Sequence, residues 1–452
     1  LTINSGVTIS AFLNGTPNGF YLSNSSTVSN NGILNITSTI SGGSLHAIQF
    51  WQTTASATSS FTNSGTTNIT GFDQPIVLGG TQATGSANLI NTGTFNITAS
   101  ATVGYCIYSS GTGINSITNS GTLNLSGTTA IQLLANSYGG SVTNSGIITI
   151  TKGIITSNGT LGTFSTYPTL NNNSGGTINF NYGTSAGTTA AISKVIINNN
   201  SGAKINGSCT FSENTLVTNN GSTLSPGDFN TTTNTSGIGK IILTPSGSVF
   251  TLNGNLNIQV NGKTTAGTDY DQIAFASTCA LTLQNNATIA VTTSYTPAPN
   301  DRVSVIITTT KSGSFSTQII PEGWHVDYAT ATDIAVKYAA ITWTGVAGDG
   351  LWSTASNWSS LSVPVSSSDV YISTSHVTIN SSTIAAINSL SLTSGANLIN
   401  SGSLNIIPAS PKVGIYLNSA SIDNEGILNV NSSYRCIELN GTNTLTFNGV
   451  TS

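Results

Sequence analysis

One short phrase recurs along this chain and restricts its fold more than any other feature. It first reads Asn30-Asn31-Gly32-Ile33-Leu34-Asn35-Ile36-Thr37. It returns as Asn63-Ser64-Gly65-Thr66-Thr67-Asn68-Ile69-Thr70, as Asn91-Thr92-Gly93-Thr94-Phe95-Asn96-Ile97-Thr98, and as Asn119-Ser120-Gly121-Thr122-Leu123-Asn124-Leu125-Ser126. Asn144-Ser145-Gly146 and Asn400-Ser401-Gly402-Ser403-Leu404-Asn405-Ile406 are further copies. In each copy a turn leads into alternation, so Leu34 and Ile36 face one way while Asn35 and Thr37 face the other. A lone Asn-Gly between alternating strands signals a hairpin. Recurrence at a near-constant spacing signals a stacked repeat instead.

The turn glycines Gly32, Gly65, Gly93, Gly121 and Gly146 follow one another at 33, 28, 28 and 25 residues. A second phrase follows each turn, as Ala47-Ile48-Gln49-Phe50, Pro75-Ile76-Val77-Leu78 and Ala130-Ile131-Gln132-Leu133. A third short strand precedes each turn, as in Ser116-Ile117-Thr118. Three strands per 25–33 residues, with no helical periodicity, predict an all-β chain folded as a parallel, right-handed β-helix, or β-solenoid. A single coil cannot bury its apolar face, but stacked coils share one core. Leu34, Ile36 and Ile48 are expected to point into that core. Asn and Ser at the turns are placed to form ladders between coils.

Composition agrees with this reading. Only 5% of residues are charged, while 37% are apolar, and their regular alternation sets the chain apart from a disordered polar one. The net charge of −4 offers no electrostatic case for nucleic acid. The apolar runs are too short for a transmembrane helix. Methionine is absent and no leader precedes Leu1, so the chain is expected to be a processed product or an internal fragment.

Residues 1–225 are read as solenoid coils and 226–340 as a variant β segment, either a wider solenoid or a sandwich-like insert. Residues 341–372 form a Trp-rich junction holding Trp343, Trp352 and Trp358. From 373 to 452 the solenoid resumes. This last segment repeats the first: Gly414-Ile415-Tyr416-Leu417 matches Gly19-Phe20-Tyr21-Leu22 at an offset of 395. Gly426-Ile427-Leu428-Asn429-Val430 matches Gly32-Ile33-Leu34-Asn35-Ile36 at an offset of 394. A super-repeat of about 390 residues follows, with roughly 14 coils per module at about 4.8 Å each. The native molecule is expected to continue as a longer chain or as stacked subunits.

The Asn-x-Gly coils leading into Gly221-Ser222-Thr223-Leu224-Ser225-Pro226-Gly227 resemble passenger regions of bacterial autotransporter and haemagglutinin-type surface proteins. Tyr270-Asp271-Gln272-Ile273, Gly313-Ser314-Phe315-Ser316 and Gly323-Trp324 resemble the segment that follows there. Trp343, Gly350-Leu351-Trp352, Asn357-Trp358, Pro364 and Asp369 are similar to a motif of very long secreted bacterial β-repeat proteins. The resemblance implies export to a bacterial surface and leaves the function open among adhesins, matrix proteins and enzymes.

A carbohydrate-cleaving β-helix needs paired carboxylates or a base with cationic partners. Residues 1–151 contain one carboxylate, Asp73, and neither Lys nor Arg. Asp269, Asp271, Asp301 and Arg302 lie in the variant segment, where Asp271 reads as a turn cap. His46 reads as a turn histidine beside Trp51, and His325 as a strand residue. Cys106 and Cys436 fill a slot held elsewhere by Ala47 and Ala130, which marks them as buried thiols. Cys209 and Cys279 are candidates for a disulfide in an oxidising space. No metal or cofactor motif stands out. Trp343, Trp352 and Trp358 read as a core plug, with stacking on sugars as the alternative. The function expected is therefore structural: a non-enzymatic extracellular rod, fibre, sheath or matrix component that self-associates. A surface adhesin binding glycans or neighbouring cells is the alternative, and a polysaccharide-degrading enzyme stands third.

Overall fold

A computed structural model describes residues 1–14, 18–39, 45–81, 84–100, 104–111, 113–134, 140–157, 168–180, 191–212, 215–227, 237–244, 249–275, 279–295, 297, 301–321, 324–338, 341–408 and 413–448. The chain is all-β, a parallel β-solenoid of about 13 turns with coils of about 28 residues. It divides into two compact units. The first holds residues 1–294, 304–319 and 328–334; the second holds 295–303, 320–327 and 335–452.

In the first unit each coil contributes three strands to three faces. One face is the nine-stranded sheet that runs from Thr2–Ile3 through Thr27–Asn30, Thr58–Asn63, Ser86–Asn91 and Ile114–Asn119 to Leu216–Thr218. A second face stacks Ile33–Ser38, Thr66–Phe72, Thr94–Ala99 and the start of Thr122–Leu133. A third stacks Phe20–Leu22, Ile48–Phe50, Ile76–Leu78 and Tyr105–Ser109. All these pairings are parallel and nearly in register, so like residues stack. Ile36 opposes Ile69, Ile69 opposes Ile97, and Ile97 opposes Leu125.

Alternation puts Leu34, Ile36, Ile48, Phe61, Ile69, Phe95, Leu123 and Leu125 in the interior with no measurable exposure. β-Branched and aromatic residues fill strands because they suit a pleated, half-buried surface. Each Leu or Ile so buried contributes about 1.5–3 kcal/mol. Phe61 and Phe95, one coil apart, meet at 5.9 Å between ring centres.

The stretch 226–340 was open between a wider solenoid and a sandwich-like insert. Its described residues in the first unit continue the parallel stack. Cys209–Ser212, Lys240–Thr244 and Gln272–Phe275 pair in parallel, as do Val249–Leu252, Ala280–Leu283 and Thr310–Ser312. Trp324–Asp327 departs from that pattern and pairs antiparallel with the strand ending at Tyr338.

The second unit has three parallel sheets of its own. They stack 341–342, 369–373, 389–393, 413–418 and 435–440; 376–379, 397–400, 421–424 and 444–447; and 384–387, 403–406 and 427–430. Its core gathers Trp352, Trp358, Ile372, Ile379, Leu392, Leu398, Leu404, Ile415 and Ile422.

Candidate functional site

The turn phrase builds a ladder inside the first unit. Asn30, Asn63, Asn91, Asn119, Asn144, Asn172 and Asn199 each end a strand, two or more residues before a turn glycine, and are at most 1% exposed. The Nδ2 of each donates to the Oδ1 of the next, over 2.9, 2.8, 2.7, 2.8, 2.8 and 2.9 Å along the series. The same Nδ2 groups also reach backbone carbonyls of the following coil, such as Thr94 O and Thr122 O, both at 3.0 Å. A buried amide without partners costs about 1–3 kcal/mol, and here each amide is satisfied by the coil stacked on it. Asn400 and Asn424 repeat the bond at 2.6 Å in the second unit.

The turn glycines answer to a different constraint. Gly65, Gly93, Gly121 and Gly146 do not have positive φ. A Cβ at Gly93 would overlap the carbonyl oxygen of Gly65, and one at Gly121 would overlap that of Gly93. Glycine stands there because backbone passes against backbone from coil to coil.

The Trp-rich junction is a knot of single-use contacts. Trp352 and Trp358 are fully buried, and their rings meet edge to face at 4.7 Å. Trp343 also meets Trp358 at 4.7 Å. Trp358 Nε1 donates to Trp352 O at 2.8 Å. Asn357, also fully buried, ties the loop: its Oδ1 accepts from Ala347 N at 2.8 Å, and its Nδ2 donates to Asp349 Oδ1 at 2.6 Å and Leu351 O at 3.1 Å. Thr354 Oγ1, Leu351 N and Asn357 Nδ2 hold the Asp349 carboxylate below its ordinary pKa. The buried faces of Trp352 and Trp358 leave nothing for a sugar to stack on.

In a chain with so few charges, the second unit gathers an unusual number. Arg302 Nε lies 2.6 Å from Asp327 Oδ2. His325 Nε2 lies 3.2 Å from Asp369 Oδ2. Asp369 Oδ1 accepts from Asn388 Nδ2 at 2.7 Å and Ser389 Oγ at 2.8 Å. Tyr295 bonds Asp301, and the Trp324 ring packs on Tyr295 at 6.5 Å and Tyr338 at 5.5 Å. His325, expected only as a strand residue, thus joins the 324–327 strand to the 369–373 strand. Sequence spacing gave no sign of this pairing, since 44 positions separate the partners.

The remaining candidates are placed as follows. His46 is buried with Nδ1 at 3.1 Å from Gln74 O, and burial lowers its pKa. Asp271, fully buried, accepts from Gly239 N at 2.7 Å and Gln259 N at 2.8 Å. Cys106 is buried, and desolvation pushes its thiol up to about 12. Cys436 is exposed rather than buried, because no described coil covers it as the coil of Pro75 covers Ala47. Cys209 and Cys279 are both free buried thiols; the disulfide between them is not formed, and Cys209 instead pairs with Ile241 in the stacked strands. Among the described residues no cluster of three His, Cys, Asp or Glu is placed to hold a metal ion, and no helix is long and apolar enough to cross a membrane.

No known family model matches the chain, and no curated protein matches it significantly.

Proposed function

We propose that this chain is a structural extracellular protein of a bacterial surface, a β-solenoid module of a fibre, sheath or matrix. Modules of about 390 residues would join end to end, through a continuing chain or through stacked copies. The observation that supports this reading is the sequence match between residues 19–36 and 414–430, together with the likeness of the two coils that carry it. A Cβ on Gly19 would meet Ala47 O at 2.6 Å, and one on Gly414 would meet Cys436 O at 2.8 Å. Phe20 opposes Ile48 and Leu22 opposes Phe50, just as Ile415 opposes Ile437 and Leu417 opposes Leu439. Both strands thus stack on the following coil in the same register.

Other features support a durable surface polymer. Lys and Arg total 10 in 452 residues, which leaves few sites for trypsin-like proteases. The resemblance to autotransporter and haemagglutinin-type passengers points to the bacterial exterior.

Electron microscopy of the native material tests the reading. Continuous fibres are expected, with an axial repeat of about 67 Å from roughly 14 coils per module at about 4.8 Å. Isolated rods one or two modules long would contradict it.

A further inference from the structure

We propose that the outer side of the face formed by Ile33–Ser38, Thr66–Phe72, Thr94–Ala99 and the start of Thr122–Leu133 binds an extended, uncharged, β-linked polysaccharide. The inward residues of these strands make the core; the outward ones form a lattice. Thr66, Thr94 and Thr122 make one column, Asn35, Asn68, Asn96 and Asn124 a second, and Thr37, Thr70, Thr98 and Ser126 a third. Rungs are about 4.8 Å apart along the stack, and columns about 6.6 Å apart along each strand.

The lattice is pre-organised. Asn68 Nδ2 donates to Asn35 Oδ1, Asn96 Nδ2 to Asn68 Oδ1, and Asn124 Nδ2 to Asn96 Oδ1, each at 2.8 Å. Thr70 Oγ1 donates to Thr37 Oγ1 at 3.3 Å. These bonds fix the rotamers, so a ligand meets side chains that lose little further freedom on binding. They also leave capacity unused. An amide has two N–H groups and two carbonyl lone pairs, and the ladder takes one of each. The three columns are half-buried or exposed, so solvent or a ligand reaches these side chains.

Charge selects the partner. None of the four strands contains Asp, Glu, Lys or Arg. A charged polymer laid here would lose hydration and find no counter-charge. A neutral sugar chain brings hydroxyls that donate and accept, as the lattice does. The rung spacing is of the order of one sugar in an extended β-linked chain, so such a chain lying along the stack offers one residue per coil. No outward residue of the lattice is aromatic, so binding rests on hydrogen bonds repeated over several rungs rather than on ring stacking.

Co-sedimentation of the full 452-residue chain with microcrystalline cellulose and with chitin tests the proposal. The chain is expected to pellet with at least one of them, equally at low and high salt, since no ion pair is involved. The double substitution Asn68→Asp and Asn96→Asp places like charges one rung apart and removes the ladder donors. It is expected to lower the bound fraction about tenfold, the loss of roughly one neutral hydrogen bond's worth of affinity. If circular dichroism shows that variant unfolded, Thr70→Val with Thr98→Val decides instead, with a smaller loss expected. Three results would overturn the proposal: no pelleting beyond a polymer-free control with either polymer, binding abolished by salt, or full binding by both folded variants. Inhibition of ice recrystallisation without polysaccharide binding would likewise reassign the lattice to ice.

Discussion

The coils around Gly65, Gly93 and Gly121 and the loop around Trp352 both close a parallel β core, by opposite means. In the coils, one asparagine, one glycine and a few alternating apolar residues are used again and again. Each Asn amide is satisfied by the next coil, and each glycine makes room for the carbonyl of the last. In the loop nothing is repeated. Trp352 and Trp358 fill the core with Trp343 packed against them, and Asp349 and Asn357 tie the backbone of this one loop. Repetition spreads stability over many equivalent rungs, while the knot concentrates it in a few residues. Substitutions should therefore separate the two regions by the size of the effect.

The largest effect is expected at the knot. Trp358→Ala removes a fully buried ring in contact with two others and should cost about 4 kcal/mol, read as a lowered midpoint in chemical unfolding. In the coils, Gly93→Ala forces a methyl group against the Gly65 carbonyl and should cost about 3 kcal/mol in the same assay. A loss below about 0.5 kcal/mol would show that the coils can part locally, and the close backbone approach would lose its importance.

Smaller effects sharpen the contrast within the coils. Asn91→Ala leaves the Asn63 amide short of an acceptor inside the core and should cost about 2 kcal/mol. Asn96→Ala breaks an outer ladder bond where water can replace it, and should cost about 0.5 kcal/mol or less. Equal losses would erase the distinction between inner and outer ladders.

The smallest effect concerns pH. Burial lowers the His46 pKa in the folded chain below its ordinary 6.5. The unfolded chain then binds the extra proton more readily, so the contribution of neutral His46 is present above about pH 6.5 and is lost as pH falls through the folded pKa. Thermal melts from pH 7.5 to 5 should show a falling midpoint, and His46→Gln should flatten that slope. An unchanged slope in the variant would assign the pH dependence to other groups.

What could be read from the sequence follows the same division. The coil was legible because stacking imposes a period: Gly32, Gly65, Gly93 and Gly121 mark the corners, and alternation marks Leu34 and Ile36 as inward. The ladder residue was only half legible. Asn30, Asn63, Asn91 and Asn119 stand two positions before each glycine, and that column was visible in the spacing. Whether a turn asparagine faces the core or the solvent depends on how the corner bends, which no single coil reveals. The reason for the glycines could not be read for the same cause, since close approach between coils is not a local property. The Asp349–Asn357 knot and the His325–Asp369 pair were invisible. They occur once, and their partners meet only after the chain has folded. Cys436 was assigned to the core by analogy with Ala47, but burial of that slot depends on a neighbouring coil, not on the residue.

The inner ladder makes one measurement decisive for the stacked-coil fold. Hydrogen exchange of asparagine side-chain amides, followed by NMR on chain labelled with 15N-asparagine, distinguishes amides locked between coils from those at the surface. Asn63, Asn91, Asn119 and Asn144 should exchange about a hundredfold or more slowly than Asn68 and Asn96, because opening them requires separating stacked coils. Exchange of all six at a common, solvent-exposed rate would contradict the ladder and the register of the coils with it.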